Sequence, residues 1–197
     1  VMVNTHSFYS YTSDVDRAAR IGETITKRYA ANRVFTGYEY FPGGADYTVP
    51  GMKLDASKAS LMDDDGRVFA QLIGATGEEH PMIMVNAVKV TSIDANQPVS
   101  LSKPIITDWL RKEMGFGGVV ITDDIEVGAA VAGMSIGDYV VRTINAGSDM
   151  VIICKHPKHI KEVHDALTQA VADGTISEAR LDESVRRIML IKFSNDQ

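Results

Sequence analysis

With 197 residues, 45% of them hydrophobic and 23% charged, the chain has the make-up of a globular domain able to bury a sizeable core. Its formal net charge of −6, with no basic stripe, excludes a surface built to grip a nucleic-acid backbone. A single cysteine, Cys154, excludes an internal disulfide framework, and no apolar run approaches the roughly 20 residues that span a bilayer.

Taken in chain order, the pattern alternates. Asp14 to Ala31 is expected to be a helix: Asp14 is a suitable N-cap, and Ala18, Ile21, Ile25 and Tyr29 share one face. Val34 to Tyr38 is expected to be a short strand, followed by the loop Phe41-Pro42-Gly43-Gly44-Ala45-Asp46, where the glycine pair reads as a turn. Asp55 to Ala75 has helical spacing, with Asp63-Asp64-Asp65 as a charged surface turn or helix face. Met82 to Val88 is the second expected strand. Ser102 caps a helix with Pro104 in its first turn, and Gly115 ends it.

Gly118 to Thr122 is the third strand, running into Asp123 and Asp124, with a new apolar segment opening at Ile125. A helix around Tyr139 to Ile144 leads to a fourth strand, Met150 to Cys154. His159 to Asp173 has helical spacing, and Ser177 caps the closing helix. The strands are short continuous apolar runs, as expected where both faces are covered. Strand and helix alternate, so the class is α/β with a parallel sheet. Four such strands make either one half of a TIM-type (β/α)8 barrel or a small open α/β sheet. No repeat, low-complexity tract or linker divides the chain, so residues 1–197 are expected to form a single (βα)4 domain. The start at Val1 rather than Met reads as a cut, with further sequence expected upstream.

The chemistry concentrates at Gly115-Phe116-Gly117-Gly118-Val119-Val120-Ile121-Thr122-Asp123-Asp124. A carboxylate at the C-terminal tip of a parallel strand stands where barrels build their active sites. Asp123 is therefore a candidate nucleophile, although capping the next helix or facing solvent suits the same position. Asp124 reads as the acceptor at a helix start. His156 and His159 are three apart, as in a metal pair, but no third ligand lies nearby in sequence. They read as a loop entering a helix, and no metal or cofactor is expected. His80 and His164 carry no signal.

From Trp109 to Asp124, and on to Ala129-Ala130, the chain resembles glycoside hydrolase family 3, above all its bacterial β-N-acetylglucosaminidases. Asn145-Ala146-Gly147-Ser148-Asp149-Met150 and the terminal Ile176 to Ile188 are similar to later segments of the same family. The resemblance implies the C-terminal half of the family barrel, with Asp123 as the nucleophile of a retaining glycosidase acting on β-linked N-acetylglucosamine or glucose, as in cell-wall recycling. It also implies a histidine acid/base on a loop following Lys-His-Phe-Pro-Gly-His-Gly. Here that motif reads Glu39-Tyr40-Phe41-Pro42-Gly43-Gly44-Ala45, and the family's Arg-Ser-Phe reads His6-Ser7-Phe8. Glu39, Asp46 and His6 are able to take over acid/base work if they reach the pocket, and otherwise read as solvated loop groups, while Tyr40 and Phe41 remain able to stack on a sugar. The alternative reading is an impaired or truncated homologue that binds sugar or mediates assembly. The expected partners are a small carbohydrate and either a second copy of the chain or a completing N-terminal half, with neither nucleic acid nor membrane. A cytoplasmic location is expected, or a secreted one if sequence precedes Val1.

Overall fold

The computed structural model describes residues 1–5, 9–44, 51–79 and 81–194. Four parallel strands form the main sheet in the order β1, β3, β5, β6: Gly37–Phe41, Met82–Val85, Val120–Asp124 and Met150–Ile152. Beyond β1, Met2 bridges to Glu39 in parallel, adding the start of the chain to that edge. A second small parallel pair joins β2 (Lys53–Leu54) to β4 (Lys89–Val90). The helices are α1 (Val15–Ala30), α2 (Lys58–Met62), α3 (Asp65–Ala75), a π-helix at Pro104–Glu113, α4 (Ile125–Ala132), α5 (Ile136–Ala146), α6 (Lys158–Ala172) and α7 (Glu178–Phe193).

Local chemistry explains most boundaries. Asp14 caps α1 by accepting from the Arg17 N–H at 2.7 Å, and Ser177 does the same for α7 from the Arg180 N–H at 3.2 Å. Gly115, at φ +73°, takes the left-handed conformation that ends the π-helix. Three boundaries depart from the sequence expectation. Val34 is not in a strand; its N–H bonds the Tyr29 carbonyl at 3.0 Å in the turn after α1. The strand starts three residues later, so that Tyr38 and Phe41 can enter the core. The single expected helix over 55–75 is two helices, because Ser57 caps α2 and Asp64 leaves the helical region at φ −127°, ψ −125°. The second strand stops at Val85, where the Asn86 side chain accepts from the Val88 N–H at 3.2 Å and turns the chain into β4.

The sheet is covered unequally, unlike the expectation of two covered faces. Tyr38, Ile83, Val85 and Val120 are buried with Phe69, Leu72, Trp109 and Leu110 in the main core. Within it, Phe41 packs edge-on to Phe69 at 5.3 Å and against Trp109 at 5.0 Å between ring centres. The opposite face presents Met84, Ile121 and Met150 in lateral register, the first two half-buried and Met150 exposed. A second core joins Ile125, Ala129, Tyr139 and Val140 where α4 meets α5.

Candidate active site

Three strand ends deliver the chemistry to the C-terminal edge of the sheet. β5 alternates in burial, so Thr122 and Asp124 turn to the helices while Ile121 and Asp123 turn to the less covered face. Asp123 is half-buried, and its Oδ1 accepts from the Asp124 N–H at 2.8 Å. Asp124 does separate work: it is buried and caps α4 by accepting from the Glu126 N–H at 3.0 Å. The two neighbouring carboxylates are thus divided between a solvent-accessible group and a structural cap, as their sequence positions suggested.

β1 brings Glu39 and Tyr40 to the same end. Tyr38 pairs with Ile83 and Phe41 with Val85, so an irregularity in register lies between them. Both Tyr38 and Phe41 point into the core, and the extra residue leaves Glu39 and Tyr40 together on the open side, half-buried. Bulges re-aim side chains in this way beside functional sites. The Glu39–Tyr40 and Phe41–Pro42 peptide bonds are both cis. Burial raises the Tyr40 phenol above its ordinary range, and the charges of Asp123 and Glu39 raise it further. Tyr40 is therefore a neutral hydroxyl within the field of Asp123. Tyr139 also lies in that field: burial raises its phenol, its hydrogen bond to Ser100 opposes the rise, and Asp123 adds to it. His6 and Asp46, the other groups with acid/base potential, lie outside the described residues.

Other placements were not foreseen. Asp65 was expected in a charged surface segment, yet it is fully buried. Its Oδ1 accepts from the N–H and the hydroxyl of Thr5, both at 2.7 Å, and its Oδ2 from the Gly44 N–H at 2.6 Å. Gly43 has to be glycine there, with φ +88° and an added Cβ only 2.0 Å from that of Asp65. Asp65 therefore holds the segment after Phe41-Pro42 in place from beneath. The sequence clue was Ser57, whose capping of a short helix leaves Asp65 free to begin another.

The histidine pair stands where a loop enters a helix, as expected, but the fold adds a third group beside it. Glu126, in the first turn of α4, meets His156 and His159 across the β5–β6 edge. Glu126 Oε1 lies 2.6 Å from His156 Nδ1 and 2.5 Å from His159 Nδ1, while Oε2 accepts from the Lys155 N–H at 2.6 Å. Burial works to raise the Glu126 carboxyl, but the bonds from Lys155, His156 and His159 prevail and hold it near 2. No short-range pattern reveals this group, since 30 residues separate Glu126 from His156.

The opposite end of the sheet carries a structural counterpart. Asp149, buried just before β6, accepts from Arg111 at 2.5 Å, Arg187 at 3.0 Å, Ser184 at 2.7 Å and the Val120 N–H at 3.0 Å. Arg111 in turn donates to the carbonyls of Gly118 and Gly147, at 3.0 Å and 2.8 Å. One carboxylate thereby fastens the π-helix and α7 to the start of β5. At the C-terminal edge Asp123, Glu39 and Tyr40 stay half-buried, whereas Asp149 at the N-terminal edge is fully buried in bonds to the fold.

The profile of the glycosyl hydrolase family 3 N terminal domain matches residues 4–191. A beta-hexosaminidase of Actinobacillus succinogenes is 32% identical over 166 residues, covering 80% of this chain and 46% of the relative. One from Bordetella parapertussis is 28% identical over 180 residues, covering 89% and 46%. The beta-N-acetylglucosaminidase structure from Thermotoga maritima superposes with a TM-score of 0.87 at 25% identity, over 97% of this chain and 42% of that one. The chain spans about half the length of the curated relatives it matches. The parallel sheet is thus of the TIM-barrel type, and the chain belongs to glycosyl hydrolase family 3.

Proposed function

We propose that this chain carries the nucleophile of a retaining glycosidase acting on β-linked N-acetylglucosamine or glucose, with Asp123 as that nucleophile. The observation that carries the reading is the position of Asp123: last but one in β5, turned to the less covered face, with Asp124 diverted to capping α4. An Asp123 oxygen attacks the anomeric carbon as the glycosidic C–O bond breaks, giving a covalent glycosyl ester; water then cleaves the ester and restores the carboxylate. The Asp124 N–H on Asp123 Oδ1 orients the carboxylate and leaves Oδ2 for attack. Tyr40, kept neutral and hydrogen-bonded to Glu39, lies within the field of Asp123 on the same open side.

The leaving oxygen needs a proton, and the family's histidine loop is replaced by other residues here. Loss of a general acid typically costs ~10²–10⁴ in rate. Aryl glycosides with a nitrophenol leaving group bypass this requirement, so they make the sharper assay. Hydrolysis of the N-acetylglucosaminide or glucoside is expected, reduced by at least about 10³ in Asp123→Ala. Asp123→Ala retaining the parent rate would remove Asp123 from the mechanism.

A second reading, a catalytically impaired homologue that binds sugar, is favoured by one observation: Glu39 and Tyr40 stand where the family has lysine and histidine, so the charges of Glu39 and Asp123 both act on Tyr40 and a carboxylate replaces the cation. Calorimetry with N-acetylglucosamine separates the two: heat of binding without turnover of any aryl glycoside supports the second, and turnover excludes it.

A further inference from the structure

We propose that Glu126, His156 and His159 form a binding site for a zinc-type divalent cation at the C-terminal edge of the sheet, next to but separate from Asp123. The inference does not rest on the glycosidase reading. One ligand atom from each of the three residues lies within 4.8 Å of the others, and they come from two different βα connections. Both Nδ1 atoms converge on the same oxygen, Glu126 Oε1, with the imidazole rings 5.1 Å apart and inclined at 64°.

The donor set selects the ion. Two imidazoles and one carboxylate match the three-ligand sites of zinc that leave a fourth position to water, whereas calcium and magnesium prefer oxygen alone. Zinc bonds of roughly 2.0–2.2 Å require ligand atoms about 3.3 Å apart in a tetrahedron. The present spacings of 2.5 and 2.6 Å therefore have to open by several tenths of an ångström. His156 can give that room: its side chain is 58% exposed and stands in the loop after β6, against 15% for His159 and 7% for Glu126. The two less exposed ligands make a fixed floor, and the exposed one closes over the ion. The Lys155 N–H on Oε2 already orients the carboxylate, the kind of outer bond that metal ligands need.

A bound ion would clip the β5–α4 connection to the β6–α6 connection, bracing the edge that carries Asp123. The test uses the intact, untagged protein, stripped with chelator and titrated with Zn2+ by calorimetry and by thermal melts. One ion per chain is expected, with a micromolar or tighter Kd and a melting temperature raised by roughly 5–10 °C at a hundredfold excess over Kd. His156→Ala, on an exposed residue that leaves folding intact, and Glu126→Gln should each weaken binding by at least about tenfold. His164→Ala, on an exposed histidine of α6 outside the cluster, should leave it unchanged. Absence of one-to-one binding below about 100 μM, or equal weakening by His156→Ala and His164→Ala, would overturn the site and leave Glu126 as a hydrogen-bonded clip only.

Discussion

At the scale of single residues, the two ends of the sheet make opposite demands on carboxylates. Asp149 is the buried carboxylate on which Arg111, Arg180 and Arg187 converge. Burial lowers Arg111 to about 10 despite the attraction of Asp149, with Arg187 and Arg180 adding repulsion. Removing one partner of such a buried set leaves uncompensated charge, so Asp149→Ala should cost about 3–5 kcal/mol in urea unfolding. A loss under 1 kcal/mol would show that the arginines find other partners. Asp65 presents the reverse case, a buried acid bound by neutral donors. Burial raises its carboxyl more than the Thr5 and Gly44 bonds lower it, and nearby Asp64 adds to the rise. The folded state thus holds this proton at a pH where the unfolded chain has released it. Its contribution is whole below the unfolded value of roughly 3.9 and is lost as pH rises through the folded value. The stability gap between the parent and Asp65→Asn should accordingly shrink from pH 4 to pH 6, and a gap that widens would contradict this sign.

At the scale of elements, caps and close approaches carry the specificity. Asp14→Ala removes the cap of α1 and should cost ~1 kcal/mol, read as a fall of about 2–4 °C in Tm. Gly128 lets α4 meet α5: a Cβ there would lie 2.2 Å from Tyr139 Oη, which is itself bonded to Ser100 at 2.5 Å. Gly128→Ala is therefore expected to destabilise by about 1–3 kcal/mol through overpacking, although alanine is the better helix former. A neutral or stabilising result would mean that the α4–α5 contact is loose. The bulge in β1 belongs to this scale as well, since one extra residue changes which side chains reach the open face. The sequence showed the strand but not the bulge, because Val34 and Phe35 continue the apolar run and only packing reveals that Tyr38 and Phe41 are the buried pair.

At the scale of the whole molecule, the unequal covering of the sheet is the dominant feature. Met84, Ile121 and Met150 form an apolar row on the face that also carries Asp123, and a barrel of this type closes such a face with further βα units. We propose that this face is completed by association, with a second copy when the 197-residue chain is expressed by itself. Light scattering at micromolar concentration should then report a dimer or larger species, and Met84→Lys should weaken the association by at least about tenfold. A monodisperse monomer that binds no hydrophobic dye would refute this.

The amino-acid sequence by itself determined the α/β alternation, the caps at Asp14 and Ser177, the stop at Gly115, and the placing of Asp123 at a strand tip. These follow from interactions between residues a few positions apart, which a linear reading can capture. It also displayed the family's Gly-Phe-x-Gly-Val-Val and Thr-Asp-Asp motif. Only the tertiary structure decided that Asp65 is a buried anchor, that Asp149 gathers arginines from two distant helices, and that Glu126 joins a histidine pair 30 residues away. Parallel strands force those meetings. Each strand must be followed by a crossover helix before its neighbour is laid down, so residues side by side at one edge of the sheet are far apart along the chain.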